Sequence, residues 1–257
     1  VDENEILEHL AIAKEKSDEK YWEEESKLTG VFCIGYIIKD EIVYTTDCAG
    51  MQLVYHGLIN NMLFITSHGK LVADLKGLEQ SEYIKRLTTN KYWHYWGTWL
   101  PGDLSPFSEL KRMVPNHAGE YSNKTKNINV FRFYPTQKII ETSTEKEYKE
   151  TICELGRIMS NTMKCIANKG PEKKISISVT GGRDSMTALA CANKVYDKFK
   201  YFSYISNIDE SVDAYAAKEI LQHLGLEHEL YEIPEEWAGY KDLSVFKKVM
   251  ECNNGCI

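Results

Sequence analysis

The residues best suited to chemistry form one hexapeptide, Thr180–Ser185, with the sequence Thr-Gly-Gly-Arg-Asp-Ser. It follows an apolar, β-rich segment and leads into a helical pattern. Adjacent glycines let the backbone approach a bound group closely, and the N–H groups at a helix start favour anions. The hydroxyls of Thr180 and Ser185 add donors, while Asp184 beside an anion implies a bridging Mg²⁺. The hexapeptide therefore predicts a site for phosphate groups and Mg²⁺.

Two other phosphate-binding loops are excluded by residue type. The Walker loop ends in Gly-Lys-Ser or Gly-Lys-Thr, and this chain has no such triplet. The dinucleotide loop needs three spaced glycines, whereas here Gly181 and Gly182 are adjacent. The remaining alternative is a structural turn between a strand and a helix.

Composition narrows the class of partner and compartment. The 257 residues carry a formal net charge of −7, which argues against a nucleic-acid partner. No apolar run reaches the ~18 residues that a membrane span needs, and the acidic start is unlike a signal peptide. Seven cysteines, an odd number scattered through apolar segments, do not form a disulfide framework. We expect a cytoplasmic protein in which five of the cysteines occupy buried positions.

The first half of the chain predicts an antiparallel sheet framed by helices. One amphipathic helix is expected over residues 3–27 and a helical region over 69–90. The aromatic segment 92–99 is expected to pack in a core. Short strands joined by turns indicate antiparallel pairing, and we expect them at 31–38, 42–46, 52–56, 62–66, 118–121 and 127–133.

The second half predicts a parallel sheet. A long helix is expected over residues 143–168, with one apolar face that includes Ile152, Leu155 and Ile158. After it, strands alternate with helices, as in βαβ units. The expected strands are 175–180, 201–206 and 228–233, and the helix between the first two strands is expected over 185–199. We place domains at 1–138 and 139–257, the first α+β with an antiparallel sheet and the second α/β with a doubly wound parallel sheet.

The hexapeptide resembles the Ser-Gly-Gly-x-Asp-Ser loop of the N-type ATP pyrophosphatases, the PP-loop group of the adenine nucleotide α-hydrolase-like fold. The resemblance implies that the loop holds the pyrophosphate end of ATP and that a substrate attacks the α-phosphate. The implied nucleotide-binding residues are the loop, the residue before it and a residue at the end of the next strand. They are Val179, Thr180, Gly181, Gly182, Arg183, Asp184, Ser185 and Ser206. Asp184 is the implied metal ligand and one implied catalytic residue.

Further segments are similar to the asparagine synthetase family. After the second parallel strand, Asp209–Ala214 begins a helix that ends in Leu224-Gly225, with His228 following. We interpret His228 as a histidine that packs on the sheet. In the first half, 28–32, 46–55 and 66–70 resemble segments of that family's Ntn-type glutaminase domain.

The chain also departs from that family. The family's glutaminase uses an N-terminal Cys as nucleophile, whereas position 1 here is Val and Cys33 lies within a predicted strand. We therefore expect no glutamine hydrolysis, as in β-lactam synthetase. Glu251 matches the family's catalytic base, with an exposed helix-end glutamate as the alternative, and Asn254 replaces an Asp. The family's later Gly-x-Gly-x-Asp-Glu segment is missing, so we expect a truncated synthetase domain.

The sequence thus predicts an enzyme, an AMP-forming carbon–nitrogen ligase of the asparagine synthase-like kind. It would use ATP and Mg²⁺ to adenylate a small carboxylate and transfer the acyl group to ammonia or an amine, as in asparagine biosynthesis. A homodimer is the expected assembly, without nucleic acid or membrane. Two alternatives stay open: a nucleotide-binding homologue that lacks catalysis, and a PP-loop enzyme that modifies nucleotides or tRNA.

Overall fold

The computed structural model describes residues 2–96, 99–139, 141–169, 175–206 and 208–233. Over these residues the chain is a mixed α/β protein with both antiparallel and parallel sheets. It divides into two compact units, an N-terminal unit up to Ile139 and a C-terminal unit that includes the described residues from 141 to 233. Glu251 and Asn254 lie outside the described residues.

The N-terminal unit contains five helices and seven strands among its described residues. Their bounds are α1 Glu3–Lys16, α2 Asp18–Glu25, β1 Cys33–Ile38, β2 Glu41–Thr46, β3 Tyr55–Ile59, β4 Met62–Thr66, α3 Gly69–Lys76, α4 Glu82–Thr88, α5 Lys91–Trp96, β5 Lys111–Arg112, β6 His117–Ser122 and β7 Asn127–Arg132. The strands form two antiparallel sheets with the orders β1-β2-β6-β7 and β4-β3-β5.

The helical region at the start is two helices rather than the single predicted one. Ser17 has an extended backbone between α1 and α2, and its hydroxyl accepts a hydrogen bond from the amide of Lys20. Serine at this position caps the start of a helix because its side chain replaces a missing backbone acceptor. The apolar period continues across the break, which is why periodicity alone did not reveal it.

The core of this unit is built on both sheets. Helices α1 and α2 cover the four-stranded sheet, where Tyr21 and Trp22 are buried and the Trp22 ring stacks on Phe133 at 4.5 Å. Tyr44 on β2 and His56 on β3 join the two sheets through a hydrogen bond between the phenol and the imidazole Nδ1. Burial lowers the pKa of His56 to about 4, so the ring is neutral at pH 7.

A buried aspartate organises the loop that follows β2. Asp47 is fully buried and its carboxylate accepts hydrogen bonds from the amides of Ala49, Met51 and Gln52, at 3.1, 3.0 and 2.7 Å. Burial alone would raise the pKa of Asp47, but these amide bonds outweigh it and the pKa is lowered. The segment 46–55, which carried a sequence resemblance, therefore serves a structural purpose in this unit.

The C-terminal unit contains three helices, a short 3₁₀ helix and three strands among its described residues. Their bounds are α6 Glu145–Ala167, β8 Ser176–Ser178, α7 Arg183–Cys191, the 3₁₀ helix Tyr196–Lys198, β9 Lys200–Ile205, α8 Ile208–His223 and β10 His228–Glu232. The strands are parallel and lie in the order β10-β9-β8. One apolar cluster, centred on Val179, Ala192 and Leu221, packs the helices against this sheet.

Two expectations about burial are wrong. In the aromatic segment, Tyr92, Tyr95 and Trp99 are exposed rather than packed in a core. Of the five cysteines in the described part of the chain, Cys33, Cys48, Cys153 and Cys165 are exposed and Cys191 is half-buried; all five are free thiols. Residue type predicts average burial only, because an apolar side chain can be covered only where another element lies over it.

The apolar face of α6 is also largely uncovered in the described part of the structure. Ile152, Leu155 and Ile158 are 48%, 50% and 44% exposed, while Met163 packs against the core cluster of the C-terminal unit. The helix itself formed as predicted, with a capping box in which Thr144 and Glu147 bond each other's backbone amides. The local sequence was sufficient to predict the helix, but it did not predict which face of the helix would be covered.

No helix among the described residues has the length and apolar character that crossing a bilayer requires.

Candidate functional site

The hexapeptide lies at the carboxyl edge of the parallel sheet. Strand β8 ends at Ser178, and helix α7 begins at Arg183 directly after Gly182, whose backbone is extended. Since neighbouring parallel strands end at the same edge, the end of β9 lies beside the loop. The sequence predicted this order of strand, loop and helix. The carboxyl edge is the usual place for a ligand in an open α/β sheet.

The loop is held in shape by its own hydroxyls. The Ser185 Oγ accepts a hydrogen bond from the amide of Thr180 at 3.0 Å and lies 3.0 Å from the Thr180 Oγ1. The Thr180 Oγ1 in turn accepts from the amide of Gly182 at 3.1 Å. The two hydroxyls, which the sequence analysis treated as donors to a ligand, are thus engaged in fixing the loop before any ligand arrives.

The first turn of α7 presents amides that bond to no other described residue. The first hydrogen bond into this helix runs from Met186 N to the Gly182 carbonyl, at 3.2 Å. The amides of Arg183, Asp184 and Ser185 donate to no acceptor in the described structure, and Gly182 supplies no side-chain cap. Unpaired first-turn amides and the helix dipole together favour an anion at this point.

The glycine pair has a packing reason that sequence alone did not identify. A Cβ at Gly181 would lie 2.8 Å from the Asp213 Oδ1 and 3.4 Å from the Ala216 Cβ, so a side chain here would displace the Asp213 carboxylate that helix α8 places against the loop. The Gly181 amide also donates to the Asp213 carbonyl at 3.1 Å. The carboxylate of Asp213 therefore stands beside the loop, although the sequence analysis did not single it out.

The base of the loop is linked by hydrogen bonds to the other two strands of the sheet. Val179 is fully buried; its amide donates to the Phe202 carbonyl at 2.9 Å and its carbonyl accepts from the Ser203 hydroxyl. The Ser203 Oγ lies 2.8 Å from the His228 Nε2. A serine among the aromatic and aliphatic residues 201–205 of β9 was the signal that could have revealed this network, because buried hydroxyls need partners.

Ser206, predicted as a nucleotide contact, follows β9 at the same edge of the sheet. Its amide and its hydroxyl lie 2.7 and 2.6 Å from the Glu210 Oε2, so the first turn of α8 holds the end of the strand. Arg183 and Asp184 are both exposed at the start of α7. The predicted loop residues and Ser206 thus share one edge of the sheet, whereas Glu251 falls outside the described residues.

The donor set near the loop suits Mg²⁺ better than a metal held by protein alone. Within the described ranges, no group of three or more His, Cys, Asp or Glu side chains is arranged for a metal ion. Asp184 and Asp213 are two exposed carboxylates at the loop. Mg²⁺ characteristically takes one or two carboxylates and completes its shell with water and phosphate oxygens, so these residues fit it.

Comparison with known proteins gives weak likenesses only. No protein-family model matches the sequence, and no curated protein matches it. Among solved structures, glutamine phosphoribosylpyrophosphate amidotransferase from B. subtilis, complexed with ADP and GMP, aligns over 94% of this chain at 12% identity and a TM-score of 0.33. The allosteric regulatory enzyme of purine biosynthesis aligns over 88% at 12% identity and a TM-score of 0.34.

A third structure, glutamine-dependent NAD⁺ synthetase from Acinetobacter baumannii in complex with ADP, aligns over 99% of this chain at 10% identity and a TM-score of 0.31. The alignments cover 43%, 53% and 59% of the three neighbours' own chains, so this chain spans about half their length.

Proposed function

We propose that the chain binds ATP at Thr180–Ser185 and acts as an AMP-forming ligase. The observation that carries the proposal is the set of three unbonded first-turn amides of α7 at the end of a loop that is already held in shape. A loop fixed in advance loses little conformational freedom when phosphate binds, so the entropic cost of binding is small and the affinity is higher. The similarity of the hexapeptide to the PP-loop supports ATP over other phosphate compounds.

The proposed reaction has two steps. A carboxylate oxygen of the substrate attacks the α-phosphorus of ATP, the bond to the bridging oxygen breaks, and pyrophosphate leaves. Ammonia or an amine then attacks the acyl carbon, AMP leaves, and a base accepts the proton of the nucleophile. The amides of Arg183, Asp184 and Ser185 would hold the departing phosphates, where the donors need no reorganisation as charge develops.

Asp184 and Asp213 would hold the metal in this proposal. When bound, Mg²⁺ neutralises negative charge on the pyrophosphate. The carboxylates would keep the cation at the loop, which the amides alone could not do because an N–H group carries partial positive charge and offers no lone pair to a metal. Glu251 stays the proposed base on the strength of sequence resemblance.

We further propose that the nitrogen donor is free ammonia or an amine, because Cys33 does not offer the nucleophile that glutamine hydrolysis needs. The proposed domains are a glutaminase-like domain at 1–138 and a synthetase domain at 139–257. Cys33 lies in the ladder of β1, paired with Thr46 of β2, instead of at a chain start. Its exposed thiol lacks the free α-amino group that serves as base in the resembled glutaminases. The proposed location is the cytoplasm and the proposed assembly a homodimer, without nucleic acid or membrane as partners.

The test compares Asp184→Ala with a matched control. Asp197→Ala removes an exposed carboxylate of the same unit at the opposite end of β9. Pyrophosphate release is measured with ATP, Mg²⁺, ammonium and a panel of amino acids. We expect Asp184→Ala to lower the rate on the order of a hundredfold, while Asp197→Ala matches the wild type.

Direct titration with ATP and Mg²⁺ separates binding from catalysis. Binding without pyrophosphate release from any substrate would favour the nucleotide-binding homologue over the ligase. Absence of ATP binding to the wild-type chain would reject the proposal altogether. Replacing ammonium by glutamine in the same assay should abolish product formation.

A further inference from the structure

A directed chain of hydrogen bonds crosses the parallel sheet below the loop. It runs from the His228 imidazole on β10 to the Ser203 hydroxyl on β9 and on to the carbonyl of Val179, the residue before the loop. Ser203 is 1% exposed and Val179 is fully buried. Water therefore cannot replace these partners cheaply, and the direction of each bond matters.

The positions of the protons in these two hydrogen bonds can be assigned by counting donors. A serine hydroxyl has one proton, and Ser203 uses it for the Val179 carbonyl. The His228 Nε2 must therefore donate to the Ser203 Oγ, which fixes the Nε2–H tautomer. The Nδ1 is buried and has no partner in the described structure, which is less costly for a bare acceptor than for an N–H donor. Burial, together with nearby Lys218, lowers the pKa of His228 and favours this neutral ring.

This series of hydrogen bonds is connected to the loop through a single peptide group. The carbonyl of Val179 and the amide of Thr180 belong to the same planar group, so holding the first sets the direction of the second. The Thr180 amide donates to the Ser185 Oγ at 3.0 Å, and Ser185 lies in the first turn of α7. A rotation of the Val179 peptide would therefore misdirect the bond that fixes the loop.

We propose that His228 is a positioning residue for the loop, acting through Ser203 and the Val179 peptide to set the geometry of the phosphate site. The inference rests on the proposed function, since it assigns His228 to the same nucleotide site. It also changes the interpretation of His228 from a histidine that merely packs on the sheet to one that is required as a hydrogen-bond donor.

The experiment compares His228→Leu with His228→Gln, whose side-chain amide can place an N–H donor near the original Nε2. His223→Leu is the matched control, because His223 is exposed at the end of α8. Loss of one hydrogen bond of this kind corresponds to about a five- to tenfold weaker ATP affinity. We expect that loss for His228→Leu, recovery to within about threefold for His228→Gln, and no change for His223→Leu.

A second readout does not depend on ATP. Hydrogen exchange at the Thr180 amide should become faster in His228→Leu and return toward the wild-type rate in His228→Gln. Nitrogen NMR of the wild type should show a protonated Nε2 and an unprotonated Nδ1 on His228. Equal exchange rates in the Leu, Gln and wild-type proteins, or a protonated Nδ1 in the neutral ring, would overturn the inference.

The two readouts also distinguish the two proposals. If the wild type fails to bind ATP but the exchange pattern holds, His228 positions the loop and the proposed ATP function fails. If the wild type binds ATP and all three variants bind equally well, the proposed function stands and the role of His228 is rejected.

Discussion

The two units use close glycine contacts for different purposes. In the N-terminal unit a Cβ at Gly119 would lie 2.4 Å from the ring of Tyr44, which is buried between the sheets. In the C-terminal unit a Cβ at Gly181 would meet Asp213 beside unbonded helix amides. The first contact fills a core and has no unbonded polar group beside it among the described residues. The second places α8 against a loop that is followed by unbonded helix amides. Tight packing indicates a site only where unsatisfied polar groups accompany it.

The largest expected effect tests the core side of this comparison. Gly119→Ala would push the ring of Tyr44 away from β6 and disturb its bond to His56, so we expect a loss of about 3 kcal/mol of unfolding free energy. Denaturant unfolding followed by circular dichroism measures it. Tyr44→Phe, which removes only the hydroxyl, should cost about 1 kcal/mol. Equal midpoints for Gly119→Ala and the wild type would show that the sheets tolerate the added methyl.

An effect of up to the same size concerns a buried acid that has no part in the proposed chemistry. Glu25 in α2 is 3% exposed, and burial raises its pKa from 4.5 to about 7. A raised pKa means that the native state holds the proton more tightly, so stability is present below pH 4.5 and lost as pH rises through 7. Glu25→Gln should therefore gain up to about 3 kcal/mol relative to the wild type between pH 4.5 and 8.

Thermal melts of both proteins across that pH range provide the measurement. His56 has the opposite sign, since its lowered pKa makes stability fall as pH drops from 6.5 toward 4. The difference between Glu25→Gln and wild type cancels that contribution, because both proteins retain His56. A difference that stays constant with pH would contradict the assigned burial of Glu25.

The last substitution tests the glycine contact of the C-terminal unit. It is expected to change ATP affinity and to have little effect on stability. Gly181→Ala should displace the Asp213 carboxylate from its place beside the loop and weaken ATP binding about tenfold. Gly156→Ala is the control, because nothing lies within 4 Å of a Cβ placed there in α6. It should leave ATP binding unchanged and stabilise the helix by up to about 1 kcal/mol. Calorimetric titration decides; equal ATP affinity in both variants would remove the loop from the proposed site.

Most secondary structure followed from local sequence, because period and turn residues act over short distances. The predicted strands 62–66 and 127–133 and the long helix 143–168 all appear with ends within two residues. The predicted helix 185–199 instead spans Arg183–Cys191 and is followed by a 3₁₀ turn. Helix ends depend on which capping and packing partners are available, so they are fixed less firmly by sequence.

The order of the residues is enough to place the hexapeptide between a strand and a helix and to predict the chemistry of an anion site. The groups around the hexapeptide come together on folding: Asp213 of α8 lies beside Gly181, and the Ser203–His228 pair lies beneath Val179. These partners lie more than 20 positions away along the chain, and a hydroxyl or imidazole gains its purpose from the group it meets. The same reason explains why Tyr92 and Trp99 are exposed although their composition predicted a core. Residue type fixes what a side chain can do, and the fold decides whether it has a partner with which to do it.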